Sequence, residues 1–461
     1  MSHTGNWGRF VVIGLGTLIA PLDSSVNIAF PDITQGFALA LPSIQWVVIC
    51  FVLTYGSLML VFGRLGDLFG HLRIFQIGLA LGAAGLVLCA TATRYEWLLV
   101  FRVVQGIGTA MVISCGPALA TSLFDEAMRP RVLGAYMTIF GLGGVIGPSL
   151  GGVLVEAWGW PAVFWFRLPI ALGALLLSFA LALPPRPRAA GGFDLSGAIL
   201  LVLSLSLLLL TVSQMRNPDV GATAVAGLVA GTIVAFALFV LRERSAAAPI
   251  IELGVFGNLD FALVNVANIA VNLAGFSVLL LVPYFLVRAT GLPLSLGGMV
   301  LATSSLGMIV AALLGGHLAH RIGANRIAFA GATVIIVGLA AIGYWPAEAP
   351  VAAMVAALLV HGLGLGLFQV SCLELVTATL PRVDRGVAGS LVLVTRTIGV
   401  VLAAGLLTLM FTAIEGVATA EGATNPFLAG FQSTFRYTAL GLAGFIALTC
   451  LRPRIWFGGR V

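Results

Sequence analysis

The segment Gly63-Arg64-Leu65-Gly66-Asp67-Leu68-Phe69-Gly70-His71-Leu72-Arg73 lies between two long apolar runs. Much later in the chain, Gly316-His317-Leu318-Ala319-His320-Arg321-Ile322-Gly323-Ala324-Asn325-Arg326 repeats it, again between apolar runs. The second copy keeps the first and last glycines, the leucine at the third position and the terminal arginine at matching offsets, and has His320 where the first has Asp67. A short polar turn copied together with its flanking apolar runs marks a duplicated unit.

Outward from this pair the chain is apolar almost throughout. Of its 461 residues 60% are hydrophobic and 9% charged, where a soluble domain carries roughly 25% charged residues. A spanning helix needs ~20 apolar residues. A soluble enzyme and a disordered or fibrous chain are excluded, and the fold class is an all-α polytopic membrane protein. All 23 basic residues are arginines, scattered in ones and twos at the ends of apolar runs. The net charge of +6 therefore builds no basic face with interleaved aromatics, and no nucleic-acid partner is expected. Cys50, Cys89, Cys115, Cys372 and Cys450 form no CxxC pair, so neither a disulfide framework nor a metal site is indicated. The first apolar run, from near Arg9 to about Pro31, is too long for a cleaved signal peptide and lacks a small-residue cleavage site.

Charged, Pro-rich and Gly-rich punctuation divides the chain into fourteen predicted spans: 10–31, 44–63, 74–92, 97–118, 131–155, 161–183, 194–213, 222–241, 259–287, 295–315, 327–345, 351–375, 386–412 and 431–451. An even count puts both ends on one side. With those ends in the cytoplasm sixteen arginines fall inside, and only Arg94, Arg216 and Arg288 fall outside. The positive-inside rule thus makes both termini cytoplasmic in a multi-pass cell (inner) membrane protein. The longest inside segments, 184–193 and 242–258, split the chain into 1–183, an N-terminal six-helix bundle; 184–258, a linker with two extra spans; and 259–461, a C-terminal six-helix bundle. Paired six-helix repeats with a site at their interface are a transporter architecture.

Three further stretches carry chemistry. Span 1 contains Leu22-Asp23-Ser24-Ser25-Val26-Asn27-Ile28-Ala29-Phe30-Pro31-Asp32-Ile33, with Asp23, Asn27 and Pro31 four apart on one face of a helix. Span 4 contains Leu98 to Ala110, LLVFRVVQGIGTA, with Arg102, Gln105, Gly106 and Gly108. An arginine inside a span is costly unless paired or hydrated. Span 5 contains Gly143 to Gly152, GGVIGPSLGG. Gly143, Gly147 and Gly151 strip one helix face for close approach, Gly152 follows, and Pro148 permits a kink.

Together these stretches resemble the Major Facilitator Superfamily, specifically its fourteen-helix drug:proton antiporter branch, over nearly the whole chain. Residues 63–73 resemble that superfamily's loop motif GxLaDrxGrkxxl, so Gly63, Asp67, Gly70 and Arg73 are expected to form a cytoplasmic gate. His71 and Leu72 depart from its basic positions. Span 4 resembles RxxqGxgxA, span 5 the gxxxGPxxGG pattern associated with antiporters, and span 1 LDxTxVNxAlPxI with Ser25 in place of threonine. The resemblance implies the major facilitator fold, two six-helix bundles plus two extra helices, working by alternating access. Trp46 fits the branch's early tryptophan in span 2.

One departure is informative. In Trp160-Pro161-Ala162-Val163-Phe164-Trp165-Phe166-Arg167 the branch usually has arginine after the tryptophan and asparagine where Arg167 stands. Arg167 is either a shifted anchor or a substrate-binding charge. Asn27, Trp46, Gln105, Arg167, Asn268, Asn272, His361 and Arg396 form the candidate substrate cavity, although polar glue between helices also accounts for the asparagines. Arg396-Thr397-Ile398-Gly399 resembles a pattern common in the branch, and His361 sits near mid-span 12 in the place Arg102 holds in the first half.

No phosphate-cradling loop or catalytic constellation emerges, so no enzyme and no cofactor are expected. The expected function is a proton-coupled antiporter exporting small amphipathic compounds. Asp23 and Arg102 lie at matching depths and form the expected proton-coupling pair. The alternatives are an exporter of one specific, anionic metabolite and, more remotely, a membrane enzyme or lipid-handling protein. Expected partners are a small-molecule substrate, protons and the lipid bilayer, with the chain a monomer.

Overall fold

The computed structural model describes residues 3–125, 128–181, 194–214, 220–246, 254, 257–378 and 385–458. The linker at 184–193, Arg216 and most of 247–256 lie outside the described residues, as do the side chains of His317 and His320. The described elements are helical throughout. In chain order they are α1 (His3–Leu18), a 3₁₀ turn (Pro21–Ser24), α2 (Ser25–Ile28), α3 (Phe30–Gly36), a second 3₁₀ turn (Leu41–Ile44), α4 (Gln45–Phe69), α5 (His71–Ala90), α6 (Tyr95–Ser122), α7 (Arg129–Trp158), α8 (Ala162–Trp165) and α9 (Leu168–Ser178). Then come α10 (Leu195–Gln214), α11 (Ala222–Ser245), α12 (Leu259–Arg288), α13 (Leu294–Ile322), α14 (Ala324–Ile342), α15 (Val351–Ala378), α16 (Arg385–Ala420), α17 (Pro426–Thr449) and α18 (Arg454–Phe457).

Among the described residues ten helices are long and apolar enough to cross a membrane, or eleven with α4, which bends by 46° between Met59 and Val61. This is coarser than the fourteen spans expected. Ala162–Ser178 and Leu195–Leu208 are apolar but short. The 24-residue α17 is diluted by Gln432, Ser433, Thr434 and Arg436.

Helices before residue 181 pack chiefly on one another, and so do those after 259, with α5 on α6 and α14 on α15 as the matching tight pairs. The repeat extends to backbone geometry: Gly70 and Gly323 both turn at φ 100°, a conformation open to glycine. Glycines also set the register. A Cβ on Gly85 would meet Gln105, and one on Gly338 would meet His361. Gly108 lies against Gly78 and Gly82, and Gly364 against Gly331 and Ile335. This register corrects one expectation. His361 occupies the place of Gln105, and Leu358 that of Arg102.

The expected continuous helix over 10–31 is also corrected. It breaks after Leu18, passes through the 3₁₀ turn at Pro21–Ser24 and resumes as α2 and α3. Pro21 and Pro31 lack an N–H and clash with the preceding turn. Asp23, Asn27 and Pro31 therefore sit on three separate pieces rather than on one helical face. The last predicted span of the first half breaks likewise, with Arg167 at the junction of α8 and α9, just before Pro169.

The two halves meet along α7 and α13 and along α4 and α16. Gly152 packs on the backbone of Leu294, and Gly298 on that of Pro148, so closely that a Cβ on either would overlap. Polar contacts close one end of the seam. Thr34 and Tyr284 share a hydrogen bond of 2.7 Å, and the Ser295 N–H donates to Glu156 at 2.8 Å. Between the halves, α10 and α11 pair as a hairpin tied by Arg242–Asp194 at 2.9 Å, and α10 leans on both α4 and α16.

Candidate functional site

The chain break at Pro21 presents Asp23 to the interior of the first half. Ser24 Oγ donates to Pro21 O at 2.7 Å and closes the turn. The turn sits on the glycine face of α7. A Cβ on Gly143 would come within 2.6 Å of Pro21, one on Gly147 would overlap Ser24 Oγ, and one on Gly151 would come within 2.8 Å of Ser25. With Gly152 facing α13, a single helix holds the Asp23 turn on one side and the second half on the other.

Two arginines converge on that carboxylate. Arg102 on α6 grips it bidentately, with Nη1 at 2.7 Å from Oδ1 and Nη2 at 2.7 Å from Oδ2. Arg167 Nη1 donates to Oδ1 at 2.6 Å, and Gln105 Nε2 donates to the same oxygen at 3.2 Å. Each guanidinium is further fixed by a backbone carbonyl, Arg102 Nε to Val47 at 3.0 Å and Arg167 Nε to Val163 at 2.8 Å. Phe51 lies 4.1 Å from the Arg102 guanidinium and Phe164 5.2 Å from that of Arg167. Charge-assisted and bidentate hydrogen bonds are the strong ones. Arg102 and Arg167 are 2% and 0% exposed, and the Asp23 side chain 12%. Asp23 is thus the least buried member of the triad. Arg167 Nη2 is buried with no partner among the described residues.

The corresponding layer of the second half is uncharged. Asn268 donates to Val392 O at 2.9 Å and Thr395 Oγ1 at 2.8 Å. Asn272 donates back to Asn268 Oδ1 at 2.9 Å, and Gln369 donates to Asn272 Oδ1 at 3.2 Å. His361 Nδ1 shares a 2.9 Å hydrogen bond with Ser304, and its Nε2 faces Gly275. Asn27 is buried on α2, Trp46 is partly buried against the core, and Arg396 is half-buried on α16. These candidate residues therefore fall into an ionic cluster (Gln105, Arg167), an amide network (Asn268, Asn272) and isolated positions (Asn27, Trp46, His361, Arg396). None of them lines the ~510 Å³ cavity at the closed end, whose wall includes Asp32, Thr34, Gln35 and Arg288.

In the 63–73 turn, Asp67 is half exposed and its Oδ1 lies 3.3 Å from His71 Nε2. Gly63 comes near Ser114, Gly70 makes the turn, and Arg73 is exposed. Sequence reasoning did not single out the Arg167–Asp23 contact, Gln369, Tyr55 or the Thr34–Tyr284 bond. Gln369 could have been found as an amide inside an apolar run. Tyr55 and Tyr284 look like any aromatic in a span. Among the described residues no group of three His, Cys, Asp or Glu side chains could hold a metal ion.

Comparison with known proteins gives a consistent picture. The Riboflavin transporter RibZ of Clostridioides difficile is 28% identical over 388 residues, 83% of this chain and 83% of that protein. The Multidrug resistance protein Stp of Mycobacterium tuberculosis is 33% identical over 71% of this chain and 62% of its own length. The Methylenomycin A resistance protein of Bacillus subtilis is 32% identical over 69% of each chain. Among solved structures, a bacterial homologue of the human lysosomal transporter Spinster, inward-facing and unoccupied, superposes with a TM-score of 0.71 at 18% identity, covering 100% of this chain and 99% of that one. It shares the fold. The Major Facilitator Superfamily model matches residues 13–257 and 264–458, and the chain belongs to that superfamily of membrane transporters.

Proposed function

We propose that this transporter is a proton-coupled antiporter that exports small amphipathic compounds by alternating access. The observation that carries this reading is the Asp23 carboxylate, gripped by Arg102 and Arg167 and the least buried of the three side chains. Taking up a proton removes the anionic partner that both guanidiniums hold. The Asp23 turn is then free to shift on α7, whose opposite face packs on the second half. The resistance proteins named above, which share about a third of the aligned residues, support export of drug-like compounds.

In this reading all fourteen predicted spans cross the inner membrane, with both termini cytoplasmic. Residues 1–183 and 259–461 are the two rocking bundles, and 184–258 carries the two extra spans. The chain acts as a monomer in the lipid bilayer. The closed end bearing Thr34, Glu156, Tyr284 and Ser295 faces outward, and Gly63, Asp67, Gly70 and Arg73 gate the cytoplasmic side. Everted membrane vesicles test the coupling: amphipathic dyes should accumulate when respiration acidifies the lumen, and nigericin should abolish the accumulation. Accumulation that survives collapse of the pH gradient would overturn proton antiport.

A further inference from the structure

The seam between the halves carries more positive charge than it neutralises. In the first half Asp23 balances one of its two arginines, so the buried triad is net positive. In the second half Arg396 is half-buried on α16, next to Thr397, against which Gly56 of α4 packs so closely that a Cβ would overlap. Tyr55, the neighbour of Gly56, is within electrostatic reach of both Arg396 and Asp23. One tyrosine is thus near a charged group of each half, Asp23 of the first and Arg396 of the second. Among the described residues Arg396 makes no ion pair and no side-chain hydrogen bond.

Among the described residues α16 supplies no negative charge near Arg396. Glu415, the next described acid along α16, is 19 residues from Arg396, ~28 Å away at a rise of 1.5 Å per residue. The polar network of the second half consists of amides and hydroxyls, with Asn268, Asn272, Gln369 and Thr395 already bonded to one another. Three guanidinium groups therefore face one carboxylate inside the membrane, where an uncompensated charge is costly. A guanidinium offers five N–H donors in a planar fork matched to a carboxylate. Those of Arg396 are uncommitted, and Arg167 keeps a buried, unpartnered Nη2.

Resting on the transport reading above, we infer that the chain selects organic anions, amphipathic compounds carrying a carboxylate, and that Arg396 with Tyr55 forms the recognition site at the seam. The carboxylate takes the free fork of Arg396 and the Tyr55 hydroxyl donates to it. The apolar body lies against the half-buried Tyr55 ring, which Phe51 backs at a centroid distance of 5.3 Å. The net charge of the Asp23 triad attracts the same anion and repels lipophilic cations.

The test compares two dyes built on one xanthene scaffold, anionic fluorescein and cationic rhodamine 123. Their binding to the purified full-length chain in nanodiscs is read by fluorescence anisotropy. Fluorescein should bind at least tenfold more tightly than rhodamine 123. Arg396→Gln should remove most of that preference, and Arg396→Lys should keep it. Because Arg396 makes no ion pair or side-chain hydrogen bond among the described residues, Arg396→Gln should leave the thermal unfolding midpoint unchanged. Equal or tighter binding of rhodamine 123, binding of neither dye, or fluorescein affinity indifferent to Arg396→Gln would overturn the inference. Proteoliposome flux separates the two readings: anion-selective binding without pH-driven flux supports the recognition site and rejects the antiporter, whereas pH-driven flux of rhodamine 123 alone does the opposite.

Discussion

Arg167 Nη1 stands 2.6 Å from Asp23 Oδ1, the same oxygen that accepts from Arg102 and Gln105. The arginine at the α8–α9 junction thus anchors the Asp23 turn, with Val163 O holding its Nε. Arg167→Asn should keep membrane insertion but lower stability by about 1–3 kcal/mol, the range for a buried hydrogen-bonding group left without its partner. A double-mutant cycle with Asp23→Asn, followed by thermal unfolding in detergent, should return a coupling of ~1 kcal/mol or more. Additive effects would show that the contact carries no weight and return Arg167 to the substrate.

How far the sequence could be read follows from what each residue depends on. The repeat at 63–73 and 316–326 was legible because Gly70 and Gly323 answer to a local demand, a turn at φ 100° in each copy. The charged cluster was half legible. Asp23 and Arg102 were matched by depth along ideal helices, which helix rise alone supplies. Arg167 was not joined to them, because depth does not say which way a side chain turns at a proline-induced break. His361 was misaligned with Arg102 because hydropathy gives a span's middle but not its rotation. The Gly338–His361 contact, a matter of packing across helices, sets that register.

The glycine face of α7 gives a steric prediction. Alanine at 147 places its methyl on Ser24 Oγ, and alanine at 151 brings one within 2.8 Å of Ser25. Overpacking of this kind costs ~1–3 kcal/mol, and here it presses on the turn that carries Asp23. Gly147→Ala should lower the initial transport rate at least tenfold at normal protein levels. Gly144→Ala is the control on the same helix, since its Cβ would meet Ser305 only at ordinary contact, 3.4 Å. Equal rates for the two variants would separate the glycine face from transport.

Asp67 offers a charge-specific prediction. Its carboxylate is half exposed and close only to His71 among the contacts described, at 3.3 Å. An exposed pair of this kind contributes little to stability. If Asp67 gates the cytoplasmic side by pairing when that side closes, Asp67→Asn should cut transport several-fold while the unfolding midpoint stays within error. Transport at the wild-type rate would leave Asp67 an ordinary surface residue beside a turn.

The last prediction concerns the carboxylate itself. Asp23→Asn keeps the shape of the side chain but offers one neutral oxygen in place of two anionic ones. Arg102 loses its bidentate partner, and two buried guanidiniums are left without a counter-charge. Breaking a buried ion pair by removing one partner costs ~3–5 kcal/mol, so the variant should unfold at a lower temperature. Retained exchange activity is the control for its fold. In proteoliposomes the wild type should accumulate fluorescein against its gradient when a pH gradient is imposed, and should also exchange labelled for unlabelled dye without one. Asp23→Asn should lose the first activity and keep the second, because alternating access requires only that the halves rock, whereas uphill movement requires a proton that must leave before substrate binds. Uphill accumulation by Asp23→Asn with an unchanged pH dependence would move the coupling site away from Asp23. Loss of both activities in a folded variant would make Asp23 a structural counter-ion for Arg102 and Arg167 and nothing more.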